Sequence, residues 1–177
     1  METAPLLSVE NLSVIVKLAS GERVDAVDKV SFSVGVGETL ALVGESGAGK
    51  SLTAMALMRL HKTQFMDVVA DRIDLQGHDI ARMNDREIRQ IRGSKVAMIF
   101  QDPLTALNPV LTVERQLVES ILLHNHLSRA GARQRALELL DMVRIPAAKS
   151  RLGEYSHRLS GGMRQRVMIA MALAGNP

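Results

Sequence analysis

Eight consecutive residues limit what this chain can fold into more than any other stretch. They occupy positions 44–51, after an apolar run at positions 40–43 and before a pattern typical of a helix. They are Gly44, Glu45, Ser46, Gly47, Ala48, Gly49, Lys50 and Ser51. Gly, four free positions, Gly, Lys and then Ser, placed between a strand and a helix, is the pattern of a phosphate-binding loop. We call residues 44–51 the phosphate loop.

Each residue type in the phosphate loop suits the binding of an anion. The glycines let backbone N–H groups curl around phosphates along a path that side chains would obstruct. Lys50 places a cation against the β- and γ-phosphates, and Ser51 offers a hydroxyl to Mg²⁺. The loop therefore predicts binding of a Mg-nucleoside triphosphate. It does not identify the reaction, because kinases, GTPases, motors and transport ATPases all use such a loop.

The composition narrows the setting of this site. The 177 residues suffice for one domain or most of a larger one, and the 46% hydrophobic content argues against disorder. The absence of cysteine excludes disulfides and thiolate chemistry. The start has no secretory-signal pattern, and the longest apolar run, residues 167–174, is far shorter than the ~20 residues that cross a bilayer. We therefore expect a cytoplasmic location.

Charge and histidine placement favour neither nucleic acid nor a protein-bound metal cluster. The net charge is +3, and the 2% aromatic content offers almost no stacking partners for bases. Arg82, Arg86 and Arg89 recur at helical spacing, which we interpret as a solvated face. His124 and His126 are two residues apart and do not share a helical face. No nucleic-acid partner is expected.

The hydrophobic pattern changes along the chain. Alternating apolar residues between positions 6 and 34 predict short antiparallel strands, and positions 40–43 predict a strand buried on both faces. Helical spacing after Ser51 predicts a helix that covers the sheet. Positions 104–157 predict helices, with Thr112 and Ser128 as N-caps. The chain is therefore expected to be an α/β protein with a largely helical second half.

Two polar features follow apolar segments further along. Positions 95–99 predict a strand, and Gln101 rather than Asp102 is interpreted as the functional residue after it. Leu159, Ser160, Gly161, Gly162 and Met163 then precede a helix predicted over 164–174. A Ser hydroxyl and glycine N–H groups at a helix N-terminus form a second anion site, and the alternative is an ordinary capped helix. We call residues 159–163 the signature segment.

Together these features resemble the nucleotide-binding domain of ABC transporters along the whole chain. The sequence is most similar to those of the ATPases of peptide, dipeptide and glutathione importers. The similar segments are residues 43–47, 99–103, 107–109 and 159–173. The resemblance implies a P-loop NTPase core with an N-terminal antiparallel β subdomain and an all-helical insertion. It divides the chain into a core at 1–102, a helical subdomain at 103–157, and the signature segment with its helix at 158–177.

The resemblance also implies roles, cofactors and partners. The phosphate loop would bind ATP and Mg²⁺, with Ser51 and Gln101 at the metal. The signature residues Ser160, Gly161, Gly162 and Met163 would contact ATP bound to a second ABC ATPase domain, paired head to tail. Membrane permease subunits would be direct partners and a periplasmic solute-binding protein an indirect one. The chain would lie peripherally on the cytoplasmic face of the inner membrane.

The sequence departs from the family at three places. Residues 14–18 hold no aromatic residue to stack on adenine, and Ser156 and Arg158 replace the usual Pro and Gln. The resemblance places the Mg²⁺-binding Asp, the catalytic Glu and the switch His after Pro177, with the C-terminal core strands. No catalytic residue is therefore assigned within this chain, and we expect it alone to be aggregation-prone with no more than trace ATPase activity.

Three other interpretations remain at this stage. A phosphate-loop kinase or GTPase would give the signature segment and the helical insertion no role. An ABC-type ATPase without a permease is disfavoured, because the sequence around Gln101 resembles that of the importers. A truncated, non-catalytic gene product would at most bind nucleotide. The leading interpretation is the N-terminal part of an ATP-binding importer subunit for peptides or a related small solute.

Overall fold

A computed structural model describes residues 4–61, 64–102 and 106–177. The chain divides into two compact units, residues 1–89 and 90–177. The predicted division at 102, 157 and 177 stays a prediction, and Pro103, which begins the predicted helical subdomain, lies outside the described residues.

The first unit is built on an antiparallel sheet. Its strands are β1 (Leu7–Lys17), β2 (Arg23–Val34), β3 (Met66–Val69), β4 (Arg72–Leu75) and β5 (His78–Asp79). The order is β2-β1-β4-β5, and β3 also pairs with β1. The predicted antiparallel sheet is confirmed, but its first two strands are long rather than short. The pairing of β1 with β2 shifts register three times, and such bulges interrupt the alternation from which strand lengths were predicted.

One face of this sheet carries the core of the first unit. Val9, Leu12 and Val14 of β1 are almost fully buried. Helix α1 (Lys50–Leu57) contacts β1 and β2 and buries Thr53 and Ala56. A 3-10 turn (Ile80–Arg82) follows the sheet, and most of α2 (Asp85–Ile91) belongs to this unit.

The β4–β5 hairpin is fixed by one carboxylate. The Asp74 side chain accepts hydrogen bonds from Arg72 Nη2 at 2.9 Å and from the Gly77 backbone N–H at 2.9 Å. These two donors, with Arg72 the larger contributor, lower the pKa of Asp74 from its usual value. The turn at Gln76 and Gly77, both with positive φ, is thereby held closed.

Two predicted strands are wrong. Residues 40–43 and 95–99 form no strand. All four side chains of 40–43 are exposed, with Val43 at 89%, and in 95–99 Val96, Ala97 and Met98 are partly buried while Ile99 is 52% exposed. A strand needs neighbouring backbone N–H and C=O groups to satisfy its own. Among the described residues neither segment has a neighbouring strand. The apolar pattern thus indicated that these segments prefer burial, but it did not indicate whether a neighbouring strand is present to pair with them.

The second unit is helical. Its helices are α3 (Val113–His124), α4 (Arg129–Met142), α5 (Ala148–Arg151) and α6 (Gly161–Ala172), with 3-10 turns at Ser156–Arg158 and Leu173–Gly175. The predicted caps are confirmed, since Thr112 accepts from Arg115 N at 3.3 Å and Ser128 from Gly131 N at 3.1 Å. The fully buried core side chains include Leu117, Ile121, Leu139, Leu140 and Leu152. No helix in the described ranges is long and apolar enough to span a membrane.

Candidate nucleotide site

The phosphate loop is pressed against the sheet at Gly49. This glycine has φ +79°, and a Cβ there would lie 2.6 Å from the Ala26 carbonyl oxygen and 2.8 Å from Val27 Cγ2. Residues with a Cβ rarely adopt this backbone conformation, and Ala26 is strand backbone that cannot easily move. Gly49 is therefore required both by its conformation and by close packing on β2.

Lys50 closes the phosphate loop from within. Its Nζ donates to the carbonyl oxygens of Gly44 at 2.8 Å and Glu45 at 2.7 Å, so the first helical residue reaches back to the start of the loop. An ammonium group has three donors. After these two hydrogen bonds, one donor remains for a ligand oxygen beside the loop.

Helix α1 begins without a side-chain cap. Its N-cap is Gly49, which makes no side-chain hydrogen bond to the first turn. The first N–H groups of a helix have no partner within the helix and carry its positive end, so an uncapped N-terminus suits an anion. Ser51 lies exposed in this first turn, and Thr53 is buried with its hydroxyl donating to the Gly49 carbonyl at 3.0 Å.

An aliphatic row lies on the same sheet face as the phosphate loop. Val14 pairs with Val27, whose side chain contacts Gly49, and Val16 pairs with Val24 on β2 and Met66 on β3. Val14 and Val16 are two residues apart on a strand and share a face. The row Val24–Val16–Met66 is thus about 7 Å further along that face.

The signature segment starts α6 with a capped turn. Ser160 is the N-cap, and its Oγ accepts from Met163 N at 3.3 Å. A Cβ at Gly161 or at Gly162 would meet nothing within 4 Å. Neither glycine has positive φ. Among the described residues, therefore, nothing in this fold requires glycine at these two positions.

Arg164 fastens the segment that leads into α6. Its Nε donates to the Ser156 carbonyl at 2.8 Å, and its Nη2 donates to the His157 carbonyl at 3.2 Å. Ser156 is buried, whereas Ser160 is exposed. The signature segment therefore presents an exposed, well-anchored helix start.

Gln101 lies apart from both glycine-rich turns in the chain. It is exposed and follows Phe100, which is 42% exposed. It belongs to the second unit, as do Ser160, Gly161, Gly162 and Met163, whereas the phosphate loop belongs to the first. No cluster of three or more His, Asp or Glu side chains that could hold a metal occurs in the described part of the chain.

Sequence reasoning identified the glycine-rich turns but missed what holds them. The contact of Gly49 with Ala26 and the anchoring of residues 156–157 by Arg164 join distant or irregular segments, which periodicity does not report. The Arg at position 164, one turn after Ser160, was the only available signal.

Comparisons with known proteins agree with this geometry. The ABC transporter family model matches residues 27–177. A peptide import ATP-binding protein of Brucella abortus (strain 2308) is 52% identical over 177 residues, covering 100% of this chain and 53% of the relative. The glutathione import ATP-binding protein GsiA of Escherichia coli (strain K12) is 48% identical over 182 residues, covering 100% of this chain and 29% of that protein. The chain spans about half the length, or less, of these curated relatives.

Solved structures show the same architecture. A dimeric structure of the ATP-binding cassette MJ0796, described as a post-hydrolysis state bound to ADP and Pi, has a TM-score of 0.81 and 27% identity. The match covers 97% of this chain and 70% of that one. The described fold is accordingly an ABC ATPase fold of the α/β phosphate-loop type. With its phosphate loop on an antiparallel sheet and its signature segment at the start of α6, the chain belongs to the ABC transporter family.

Proposed function

We propose that this chain is the nucleotide-binding part of an ATP-binding subunit that drives import of peptides or a related small solute. The observation that carries the proposal is Lys50, bonded to both carbonyls at the start of the phosphate loop beside an uncapped helix. This arrangement suits the phosphates of a nucleotide. The relatives named for peptide import and glutathione import support the class of solute.

The nucleotide would be held by its phosphates. Lys50 and the N–H groups at the start of α1 would bind the phosphate oxygens, and Ser51 would share Mg²⁺ with those oxygens and water. Mg²⁺ usually keeps several waters and few protein ligands. When bound, it neutralises charge on the phosphates. Gln101 keeps, as a separate proposal, the role at Mg²⁺ that the family resemblance implies. The row Val24–Val16–Met66 offers the base an apolar surface without base-specific hydrogen bonds.

The second half of the site belongs to another copy or another cassette. Gly161 and Gly162 stand in open space at an exposed helix start, as expected where an external phosphate approaches the backbone. Ser160 and these glycines would contact the γ-phosphate of ATP bound to the partner. The dimeric cassette among the structural relatives supports this head-to-tail pairing. ATP binding would then close the dimer, and hydrolysis would reopen it.

Import also requires a membrane partner. Permease subunits would receive the movement of the dimer near Gln101, and a periplasmic solute-binding protein would deliver the solute to the permease. The chain would work as a peripheral protein on the cytoplasmic face of the inner membrane. The import function in the names of its relatives supports this assignment.

Calorimetric titration of the chain with nucleotides tests the proposal. We expect saturable binding of Mg-ATP, much weaker binding of AMP, and an affinity for Mg-GTP within a few-fold of that for Mg-ATP, because aliphatic side chains discriminate poorly between bases. Absence of Mg-ATP binding by a folded chain would overturn the proposal. Co-purification of the complete subunit with an integral membrane protein tests the import role separately.

A further inference from the structure

Two rings lie stacked just before the signature segment. The ring centroids of Tyr155 and His157 are 5.6 Å apart, and the ring planes are inclined by 12°. This is the offset-stacked arrangement that aromatic pairs favour. Tyr155 is 40% exposed, and His157 is exposed as well. We call these two side chains the ring pair, and they present an accessible aromatic surface.

The backbone that carries the ring pair is held at several points. Ser156, between the two rings, is buried, and its carbonyl accepts from Arg164 Nε at 2.8 Å. The His157 carbonyl accepts from Arg164 Nη2 at 3.2 Å, and Tyr155 forms a backbone bridge with Thr112. The ring pair is therefore positioned in advance, and binding a ligand there would require little further ordering of the chain.

The ring pair lies close to the exposed start of α6. Ser160 follows His157 by three residues, and both side chains are exposed, whereas Leu159 between them is buried. The stretch begins in the 3-10 turn Ser156–Arg158. At ~2–3.5 Å per residue, three residues span about 6–10 Å. A nucleoside triphosphate whose γ-phosphate lies at Ser160 is therefore long enough to bring its base to the ring pair.

The proposed base surface beside the phosphate loop covers one face of a base only. That surface is the row Val24–Val16–Met66, which contains no ring. Aromatic side chains are scarce in the whole chain, which has one tyrosine, three phenylalanines and no tryptophan. Every base has two π-faces, and an exposed aromatic side chain stacks on such a face whatever the base. The face that the row leaves uncovered is thus open to a surface supplied by the partner.

We propose that the ring pair stacks on the base of the nucleotide bound by the partner cassette. The γ-phosphate of that nucleotide would meet Ser160, and its base would meet Tyr155 and His157. In a pair of identical copies, each base would lie between the row Val24–Val16–Met66 of one copy and the ring pair of the other. Tyr155 and His157 are binding residues in this scheme, not catalytic ones. The inference rests on the proposed function, because the nucleotide must reach the start of α6.

The main test is Tyr155→Ala in the complete ATP-binding subunit assembled with its permease. We expect KM for ATP to rise about 5- to 100-fold, which corresponds to about 1–3 kcal/mol of base stacking. The value of kcat should stay within about twofold, because the substitution removes no group at the reacting phosphate. Inhibition by Mg-tripolyphosphate, which has no base, should keep the Ki of the unchanged subunit.

Two further variants serve as controls. Tyr155→Phe retains the ring and should retain the KM of the unchanged subunit. Phe65→Ala is the matched control, because Phe65 is 50% exposed, a fraction close to that of Tyr155, and belongs to the other unit. It should leave KM for ATP within about twofold. If Phe65→Ala raises KM as much as Tyr155→Ala does, stacking on the ring pair is overturned.

The outcomes separate the two proposals. If the unchanged subunit neither binds nor hydrolyses Mg-ATP, the proposed function fails. If it hydrolyses ATP and Tyr155→Ala leaves KM unchanged, or weakens tripolyphosphate inhibition as much as it raises KM, the stacking is overturned. Should Tyr155→Ala fail to fold by circular dichroism, His157→Ala removes the second ring and leaves the carbonyl bonded to Arg164. It should raise KM in smaller degree, and an unchanged KM would overturn the stacking equally.

Photolabelling locates the base directly. An ATP analogue with an azide on its adenine, irradiated during turnover, should label the tryptic peptide 152–158. Trypsin releases this peptide by cleavage after Arg151 and Arg158, and it contains both rings. Label found only in peptides of β1, β2 or β3 would overturn the stacking.

Discussion

Helices α1 and α6 both begin at glycine-rich turns, and the two turns differ in what surrounds the glycines. At α1, Gly49 has positive φ, packs on Ala26 and provides no side-chain cap. At α6, Ser160 caps the helix, while Gly161 and Gly162 have ordinary helical backbone and open space around them. The described fold therefore requires glycine at the start of α1 but gives no reason for the two glycines at the start of α6.

This difference indicates which contacts account for the glycines of each turn. The α1 turn is shaped by its own unit and is ready for phosphates before any partner arrives. At the α6 turn, no contact among the described residues requires glycine at position 161 or 162. We therefore propose that the start of α1 forms half of a nucleotide site within its own unit and that the start of α6 is the surface that binds a second nucleotide.

The largest effect is expected from Lys50→Ala. Loss of the ammonium removes a charge-assisted hydrogen bond to phosphate and the bridge to the Gly44 and Glu45 carbonyls. Charge-assisted bonds contribute about 1.5–3 kcal/mol each, so Kd for Mg-ATP should rise on the order of 10- to 100-fold or more. Calorimetry on the purified chain measures it. Lys149→Ala, an exposed lysine of α5, is the control, and equal affinities for the two variants would contradict the assignment.

Gly49→Ala should lower stability through both backbone conformation and packing. The variant combines positive φ, which costs about 1–2 kcal/mol, with overlap on the Ala26 carbonyl, which costs about 1–3 kcal/mol. Urea unfolding should therefore show a loss of about 2–4 kcal/mol. Gly47→Ala is the matched control, since Gly47 also has positive φ but nothing within 4 Å of its Cβ position. It should lose only about 1–2 kcal/mol. A loss as large as that of Gly49→Ala would show that packing on β2 is unimportant.

Gly162→Ala should separate stability from activity. Because the Cβ enters open space in a helix, stability should rise by up to about 1 kcal/mol. In the complete subunit we nevertheless expect ATP hydrolysis to fall at least about tenfold, since the methyl group would hold the partner's phosphate away from the backbone, at a cost of about 1.4 kcal/mol or more. Unfolding and steady-state ATPase assays measure the two effects. Full activity would remove the reason for placing a ligand at α6.

The smallest effect is expected from Ser160→Ala. Loss of the cap should cost about 1 kcal/mol of stability. Ser128→Ala in α4 removes an equivalent cap, with almost the same φ and ψ and a bond from Gly131 N at 3.1 Å, and should cost about the same. Only Ser160→Ala should also lower ATP hydrolysis in the complete subunit. Equal rates of ATP hydrolysis by the two variants would show that Ser160 acts only as a helix cap.

Local rules predicted much of this fold. Alternation in residues 6–34 predicted antiparallel strands, and Thr112 and Ser128 were identified as caps from residue type and position. The cap at Ser160 was the alternative to the predicted anion site. The strands predicted at 40–43 and 95–99 failed for a different reason. An apolar run indicates that a segment prefers burial. A strand also needs hydrogen-bonding partners from a neighbouring strand, and the sequence of the segment does not show whether they are present.

Part of the candidate site could likewise be predicted from local sequence, and part could not. The phosphate loop could be located by spacing, because Gly, Lys and Ser positions are set by local backbone geometry. The packing of Gly49 on Ala26 could not be located, because it joins residues far apart in the chain with no periodic signal between them. The roles assigned to Gln101, Ser160, Gly161, Gly162 and Met163 remain predictions.

The close packing of Gly49 on β2 also has a consequence for the order of folding. The β1–β2 hairpin is closed by a short connection at residues 18–22, and such local contacts form early. The phosphate loop can take its shape only after the backbone of Ala26 is in place beneath it. We therefore expect pulsed hydrogen exchange during refolding to protect β1 and β2 before the start of α1. Simultaneous protection would show that the loop does not wait for the strand, and a chain that follows the expected order acquires nucleotide binding late.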